Sequence, residues 1–276
     1  MTAAESPRDR SSTQDPVSFS PKLLGVVNLS PESMVRDSIA RHPAEALERA
    51  RALRAEGVRI IDLGGRSITP GAPRVDDDEE QRRLAPAATL LRDEDLSFSI
   101  DTWSPATAMA ALDWGADMIN FTGQDASPPM LDAIARSGAS LVLTYMPHGN
   151  AYEMRFRPHT PPPNDLVGAI MAFLAPRVES ARAAGVRDVI VDPNLGIIHP
   201  DTDDFEKIHL QLDIVRQAER LRTLGCPLLF YAARKPERLA RIMMASAVLH
   251  ARPEYVRTHE PRILQELLRV AERRYP

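Results

Sequence analysis

Short runs of apolar and β-branched residues recur along the chain at regular intervals and predict β-strands. The runs are mostly continuous rather than alternating, which is typical of parallel strands covered on both faces. There are eight of them, namely LLGVVNL (23–29), RIIDLGG (59–65), LSFSID (96–101), DMINFTG (117–123), SLVLTYM (140–146), DVIVDPN (188–194), PLLFYAA (227–233) and YVRTHE (255–260).

Segments with helical spacing of apolar residues lie between these runs. Ser104 and Pro105 are suited to the cap and the first position of one helix, and Gly57 is suited to the end of another. The segments are 43–57, 76–93, 104–116, 164–185, 203–225, 236–251 and 261–274. Strands that alternate with helices predict the α/β class and a (β/α)8 TIM barrel. A doubly wound open sheet is the alternative, but no G-x-G-x-x-G follows the first strand.

Composition narrows the class of protein. The chain has 276 residues, a net charge of -4 and 5% aromatic residues, so neither a basic nor a base-stacking surface for nucleic acid is expected. No run reaches the length of a membrane helix, and the first residues do not resemble a signal peptide, so we expect a cytoplasmic protein. We predict a disordered tail over 1–20 and a barrel domain over 21–276. Cys226, the single cysteine, is expected to be buried.

Polar side chains stand where the apolar runs end. In a barrel of parallel strands, the carboxyl ends of the strands form the face on which active sites are built. The side chains concerned are Asn28, Asp101, Asn120, Asp192, Arg234, Lys235, Arg257 and His259. Arg257 and His259 lie two positions apart on a strand, so they face the same way.

The oxygen-bearing groups predict one kind of ligand. Asp101, Asn120 and Asp192 suit the edge of a flat heterocycle rich in N–H donors, such as an amino-pyrimidinone. Lys235 is placed to donate to a ring carbonyl or nitrogen on the opposite side. The carboxylate of Asp192 ends a buried strand, and burying it without such a partner is costly.

The remaining groups predict an anion site. Asn28, Arg257 and His259 suit phosphate. The histidines are scattered and no C-x-x-C or H-x-x-x-H spacing is present, so a metal held by protein side chains is disfavoured. A Mg²⁺ ion that arrives with a diphosphate needs few protein ligands, and Asn28 is the candidate for one of them.

Simpler explanations exist for each residue alone. Asp101 precedes a predicted helix and could act as its cap. Arg234 and Lys235 could form a solvated face, and His259 could form a surface pair with Glu260. Their joint placement at one end of the strands is the stronger indication.

Eight ordered segments resemble the motifs of the dihydropteroate synthase family from about residue 22 to the end of the chain. GVVNLSPES is similar to the family's N-V-T-P-D-S-F, and IIDLGGRSITPGA is similar to I-D-I-G-G-E-S-T-R-P-G. The other segments are SIDTW, MINFTG, TYMP, VDPNLGI, ARK and VRTHE, which resemble S-V-D-T, I-N-D, M-H-M, D-P-G-I-G-F, S-R-K and V-R-V-H-D. The fold of that family is the barrel already predicted.

The resemblance implies roles for these positions. A dihydropterin ring would be held by Asp101, Asn120, Asp192 and Lys235, with Met146 packed nearby. The diphosphate of a pterin methyl diphosphate would be held by Asn28, Arg257 and His259. We predict Lys235, Arg257 and His259 as the catalytic group, since the family's reaction joins an amine, para-aminobenzoate, to the methylene carbon as diphosphate leaves.

The departures from the family's motifs lie mainly in loops. The second loop has Ser67, Ile68 and Thr69 where the family has Ser-Thr-Arg, and Arg66 replaces a glutamate. The first loop lacks the family's glycines and phenylalanine. On the fourth strand, Phe121 stands where the family has an aspartate. Strand positions that hold the ring and the anion are therefore kept, whereas loop positions near the amine are changed.

Three functions follow from this pattern. The first is a dihydropteroate synthase-like transferase, with either the family's amine or an altered one as the acceptor. The second is a tetrahydrofolate-dependent one-carbon transferase, for which Ile68 and Phe121 would line a site for a larger apolar partner. The third is a non-catalytic pterin-binding protein. The ligand is a pterin or a folate in each case, and the apolar last helices favour a homodimer.

Overall fold

The computed structural model describes residues 19–69, 71–154, 156–157, 161–196, 202–232, 235 and 237–272. Residues 1–18, and with them most of the predicted tail, lie outside this part of the chain, as does Arg234. Phe19, at the tail's end, packs against the core, and the guanidinium of Arg252 lies 5.0 Å from the centre of its ring.

Eight parallel strands form one sheet in the order β6-β5-β4-β3-β2-β1-β8-β7. They are β1 (Lys22–Asn28), β2 (Ile60–Gly64), β3 (Phe98–Thr102), β4 (Met118–Phe121), β5 (Ser140–Thr144), β6 (Val189–Asp192), β7 (Leu229–Tyr231) and β8 (Tyr255–Thr258). A parallel bridge between Val191 and Leu228 joins β6 to the start of β7 and brings the two edges of the sheet together. The predicted (β/α)8 barrel is confirmed.

Helices connect the strands. They are α1 (Pro43–Ala55), α2 (Asp77–Asp93), α3 (Pro105–Asp113), α4 (Pro128–Ser137), α5 (Ala151–Met154), α6 (Leu166–Ala183), α7 (Asp204–Arg216), α8 (Ala218–Arg222), α9 (Arg238–His250) and α10 (Pro261–Glu272). The helix predicted over 203–225 is divided at Gln217 into α7 and α8. None of the described helices is long and apolar enough to cross a membrane.

The barrel interior has an apolar floor beneath a polar layer. The floor is built by Leu24, Met118, Val142, Ile190 and Leu229, with Ile60 and Tyr255 against it. Side chains two positions further along a strand point to the same side. Those positions hold Asp62 after Ile60, Asn120 after Met118, Thr144 after Val142, Asp192 after Ile190, Tyr231 after Leu229 and Arg257 after Tyr255. The period-two pattern of the strands therefore builds a polar cup at the carboxyl end of the barrel.

The outward positions of the strands face the surrounding helices. Phe121 is buried in the large outer core, and the neighbouring Asn120 faces the barrel interior. The prediction that Phe121 would line a site for an apolar partner is therefore wrong, because Phe121 points away from the cup. Ile68, which shared that prediction, is partly exposed. Cys226 is buried, as its apolar setting predicted.

Candidate active site

Arg257 is the centre of the polar cup. Its Nε donates to Oδ2 of Asp62 over 2.6 Å, and its Nη2 donates to Oδ2 of Asp101 over 2.7 Å. The side chain starts on β8 and passes across β1 to reach β2 and β3. Burial alone would lower the pKa of Arg257, but the two carboxylates outweigh it and hold that pKa above its usual range. The guanidinium is therefore fixed by charge on two sides.

Asp62 connects the groups around Arg257. It is fully buried, and besides the arginine it accepts hydrogen bonds from Oγ of Ser99 over 2.6 Å and, more weakly, from Nδ2 of Asn120 over 3.4 Å. The sequence reasoning missed Asp62 because it lies within a strand rather than at its end. The run RIIDLGG contains a carboxylate among apolar residues, and a buried carboxylate without partners is costly. This feature of the sequence could have identified Asp62 as part of a polar site.

Asp101 and Asp192 share the cup. Burial raises the pKa of Asp101 to about 6, although Arg257 acts to lower it. Burial also raises the pKa of Asp192 to about 7, and the charges of Asp101 and Asp62 add to the increase. Asp101 reaches Arg257 from β3, and Asp192 lies two positions beyond the interior residue Ile190 on β6, so both side chains face the barrel interior. A ligand edge that presents N–H donors would relieve both effects.

The loop after β6 is built around Asp192. Its Oδ1 accepts the backbone N–H of Asn194 over 2.7 Å, and the side chain of Asn194 donates to the carbonyl of Tyr145 over 2.8 Å. Asn194 has a φ of 65°, a left-handed conformation that asparagine tolerates better than most residues. The ends of β5 and β6 are thereby joined. Met146, in the residues that follow β5, is fully buried.

Lys235 lies beyond β7 and is buried. Its Nζ donates to Oε1 of Gln211, a residue of α7. Gln211 in turn donates to the carbonyl of Leu195 over 2.5 Å. The structure therefore places the ammonium group next to the loop that follows Asp192. The sequence reasoning missed Gln211, since it belongs to a helix.

The predicted anion group is placed on neighbouring strands. Asn28 ends β1, and its Nδ2 donates to Oγ of Ser38 over 2.7 Å and to Oγ of Ser33 over 3.3 Å. His259 follows β8, and its ring lies edge-on to that of Tyr231 with 6.0 Å between centroids. Because β1 and β8 are paired, Asn28 at the end of β1 and His259 just beyond β8 lie at neighbouring strand ends, on the same side of the barrel as Arg257.

The first two loops are joined at the rim of the cup. The N–H of Met34 donates to Oγ1 of Thr69 over 3.0 Å. Arg83 of α2 donates to Glu32 in the first loop over 3.2 Å and to Glu79 over 2.7 Å. Ile68 and Met34 leave apolar side chains exposed here. The rim between β1 and β2 therefore has a defined, partly apolar surface.

Arg66 points away from this rim. Its guanidinium pairs with Asp77 and with Oε2 of Glu80 over 3.2 Å, and it lies 4.9 Å from the centre of the Trp103 ring. Glu80 is fully buried and accepts from Oγ1 of Thr102 over 3.0 Å. Burial raises the pKa of Glu80 to about 7, against the influence of Arg66. The cluster ties the second loop to the end of β3, next to Asp101.

No metal cluster is formed by the described residues. In that part of the chain, no group of three or more histidine, cysteine, aspartate and glutamate side chains is arranged to hold a metal ion. The amide oxygen of Asn28 is a different kind of ligand and stays the candidate contact for an ion that a substrate brings with it.

Comparison with known proteins identifies relatives of the whole barrel. Residues 24–253 match the family model described as pterin binding enzyme. A dihydropteroate synthase of Synechocystis is 30% identical over 268 residues, which cover 91% of this chain and 89% of that protein. A probable bifunctional folylpolyglutamate synthase/dihydropteroate synthase of Haloferax volcanii is 33% identical over 212 residues. That match covers 75% of this chain and 24% of the longer protein.

A solved structure supports the same relationship. The dihydropteroate synthase of Thermus thermophilus in complex with 4-aminobenzoate superposes with a TM-score of 0.74 at 28% sequence identity. The alignment covers 92% of this chain and 95% of that one. The likeness therefore extends over the whole barrel.

Proposed function

Because this chain belongs to the pterin-binding enzyme family, we propose that it is a dihydropteroate synthase-like transferase acting on a pterin methyl diphosphate. The observation that supports this most directly is the convergence of Asp101, Asn120 and Asp192 on one cup with Arg257 between them. Two carboxylates and an amide oxygen match the amino and ring N–H groups at one edge of a pterin. That edge would neutralise Asp192, which explains a carboxylate at the end of a buried strand.

The reaction follows from this placement. The amine nitrogen attacks the methylene carbon of the pterin and forms the new C–N bond. The C–O bond to diphosphate breaks, the electron pair leaves with the diphosphate, and the amine loses a proton to solvent. Most of the catalysis is positioning of the two substrates and stabilisation of the leaving anion.

We assign the two ends of the site to different residues. Lys235 donates to the ring on the side away from Asp192, and Met146 packs near it. Arg257 and His259 face the diphosphate from β8. In this arrangement Lys235, Arg257 and His259 form the catalytic group. The placement of these residues supports the assignment, and Lys235→Met tests the role of the lysine.

Mg²⁺ fits this site as an ion brought by the diphosphate. The two serine contacts on Nδ2 of Asn28 fix the amide and leave Oδ1 as its oxygen ligand. A hard cation prefers such an oxygen and takes its other ligands from phosphate and water. When bound, the ion would help neutralise the leaving diphosphate.

The acceptor is an amine, and 4-aminobenzoate is the first to test because the Thermus relative was solved with it. Wild-type enzyme is incubated with 6-hydroxymethyl-dihydropterin diphosphate and a panel of amines with and without a carboxylate. We expect amine-dependent diphosphate release and a condensed product of the corresponding mass. Pterin binding without release for any amine would overturn the proposal in favour of a binding protein. Tight binding of reduced folates alone would favour one-carbon transfer.

We also propose a homodimer. Apolar side chains are exposed on α9 at Leu239 and Met243, and on α10 at Val270. Large apolar side chains exposed on two helices that pack together are typical of a protein interface. Analytical ultracentrifugation should give twice the chain mass for the wild type, and Leu239→Glu should shift the distribution towards the monomer.

A further inference from the structure

We propose that Gln211 is a positioning residue that sets the place of the Lys235 ammonium group in the pterin site. This inference rests on the proposed function, since it concerns how the same site holds the ring. Gln211 lies on α7, outside the strands and loops that supply the other groups of the cup.

Both ends of the Gln211 amide are used. Oε1 accepts a hydrogen bond from Nζ of Lys235, and Nε2 donates to the carbonyl of Leu195 over 2.5 Å. The side chain is almost fully buried, so neither contact is readily replaced by water. An amide supplies one acceptor and one donor in a fixed geometry, which a carboxylate or an apolar side chain does not.

The contact to Leu195 joins Gln211 to Asp192. Leu195 lies three residues beyond Asp192, in the loop held by the contact from the N–H of Asn194 to Asp192. Gln211 therefore fixes Lys235 relative to the carboxylate that faces it across the ligand. The distance between these two groups must match the width of the ring that they hold.

A neutral acceptor also preserves the charge of the lysine. A carboxylate at position 211 would pair with the ammonium group and cancel its charge, whereas the amide oxygen of Gln211 orients the group without neutralising it. An ammonium group has three donors, and the contact with Gln211 uses one of them. The charge stays directed at an electron-rich carbonyl or nitrogen of the bound ring.

The test is a double-mutant cycle read by pterin affinity. Calorimetric titration with 6-hydroxymethyl-pterin is made on wild type, Gln211→Met, Lys235→Met and the double variant. We expect Gln211→Met to weaken binding about tenfold in the wild-type background and less than about twofold when Lys235 is already replaced. Equal weakening in both backgrounds, or none in the first, would overturn the inference.

Two further variants control for folding and chemistry. Gln217→Met makes the same substitution just beyond α7, where the amide donates to the carbonyl of Asp213 and accepts from the side chain of Arg220, and should bind pterin as the wild type does. Gln211→Glu keeps the size and an oxygen for Lys235, but it cancels the ammonium charge and loses the donor to Leu195. It should fold and bind pterin several-fold more weakly, and wild-type affinity in this variant would contradict the inference.

The outcome for the wild type separates this inference from the proposed function. A wild type that does not bind the pterin overturns both. A wild type that binds it, with Gln211→Met unchanged, overturns the role of Gln211 alone and leaves the proposed function intact.

Discussion

The Nε of Arg257 donates to Oδ2 of Asp62 over 2.6 Å, although the two residues lie 195 positions apart in the chain. The contact crosses the barrel interior from β8 to β2, above β1. It joins the last strand of the fold to one of the first and holds the central cation of the site. We therefore expect stability and function to depend on the same ion pair.

Replacing Asp62 tests this dependence. Asp62→Asn keeps the shape of the side chain but removes the charge that faces Arg257, whose guanidinium then has Asp101 as its remaining carboxylate partner. We expect the free energy of unfolding to fall by about 2 kcal/mol and kcat/KM for diphosphate release to fall on the order of tenfold. Urea denaturation and steady-state kinetics measure the two effects.

The control for this variant is an exposed ion pair. Asp213→Asn removes the partner of Arg216 on the surface of α7, where a single pair adds little to stability. No change in unfolding or kinetics is expected there. If Asp62→Asn behaved like Asp213→Asn, Asp62 would not be holding the site.

The raised pKa of Asp192 predicts how pterin affinity depends on pH. Burial raises that pKa to about 7, so the carboxylate is largely protonated below this pH and cannot accept with both oxygens. Affinity should be lost as pH falls through about 7, and should be about tenfold weaker at pH 6 than at pH 8. Calorimetric titration across this range gives the profile.

Asp192→Asn identifies the group responsible. The amide does not titrate, so this variant should bind weakly, and its affinity should change by no more than about twofold between pH 6 and 8, the change expected from Asp101 with its pKa of about 6. A wild-type affinity that stayed constant over the same range would show that ionised Asp192 does not contact the ring.

The buried pair of Arg66 and Glu80 predicts a difference between two adjacent glutamates. Burial raises the pKa of Glu80 to about 7, above its unfolded value, so ionisation of this carboxyl opposes folding. The free energy of unfolding of the wild type should therefore fall by about 1 kcal/mol relative to that of Glu80→Gln, which cannot ionise, as the pH rises from 6 to 8. Glu79→Gln makes the same change one residue earlier, at a more exposed side chain, and should keep the pH dependence of the wild type in urea denaturation. The same pH dependence in both variants would argue against the ionisation of a buried Glu80.

We expect that replacing Thr69 with arginine changes which amine the enzyme prefers as acceptor. The resemblance places the family's arginine at this position, and the structure places Thr69 where the first two loops meet. Thr69→Arg adds a cation at the rim and should lower KM for 4-aminobenzoate roughly fivefold, with pterin affinity unchanged. Thr69→Gln adds length without charge and should not lower it. A similar gain for an amine that lacks a carboxylate would show that charge is not the cause.

The barrel could be predicted from the sequence because its eight strands are continuous apolar runs, and strands of a parallel barrel are buried on both faces. The sequence also predicted residues at strand ends, such as Asp101 and Asp192, because the fold class alone places those ends on one face. The bounds of the strands could not be predicted as closely, because the paired strands are shorter than the apolar runs that contain them. For example, β7 spans only Leu229–Tyr231 of the run 227–233.

Other features could not be predicted from local pattern. Gln211 reaches the site from a helix, and Arg66 turns from the rim to the buried Glu80. Both depend on distances between elements far apart in the chain. The prediction for Phe121 was wrong because a comparison of motifs shows which residue replaces another. It does not show which side of the strand the side chain faces.

We propose that Asp101, Asp192 and Asn120 hold one pterin ring, and a crystal structure with 6-hydroxymethyl-pterin tests this most directly. We predict density for the ring in the cup, with its amino edge within hydrogen-bonding distance of Asp192 and Asn120 and with Lys235 on the opposite side. Density for the pterin elsewhere on the protein, or a ring in the cup that contacts neither Asp192 nor Asp101, would contradict the account.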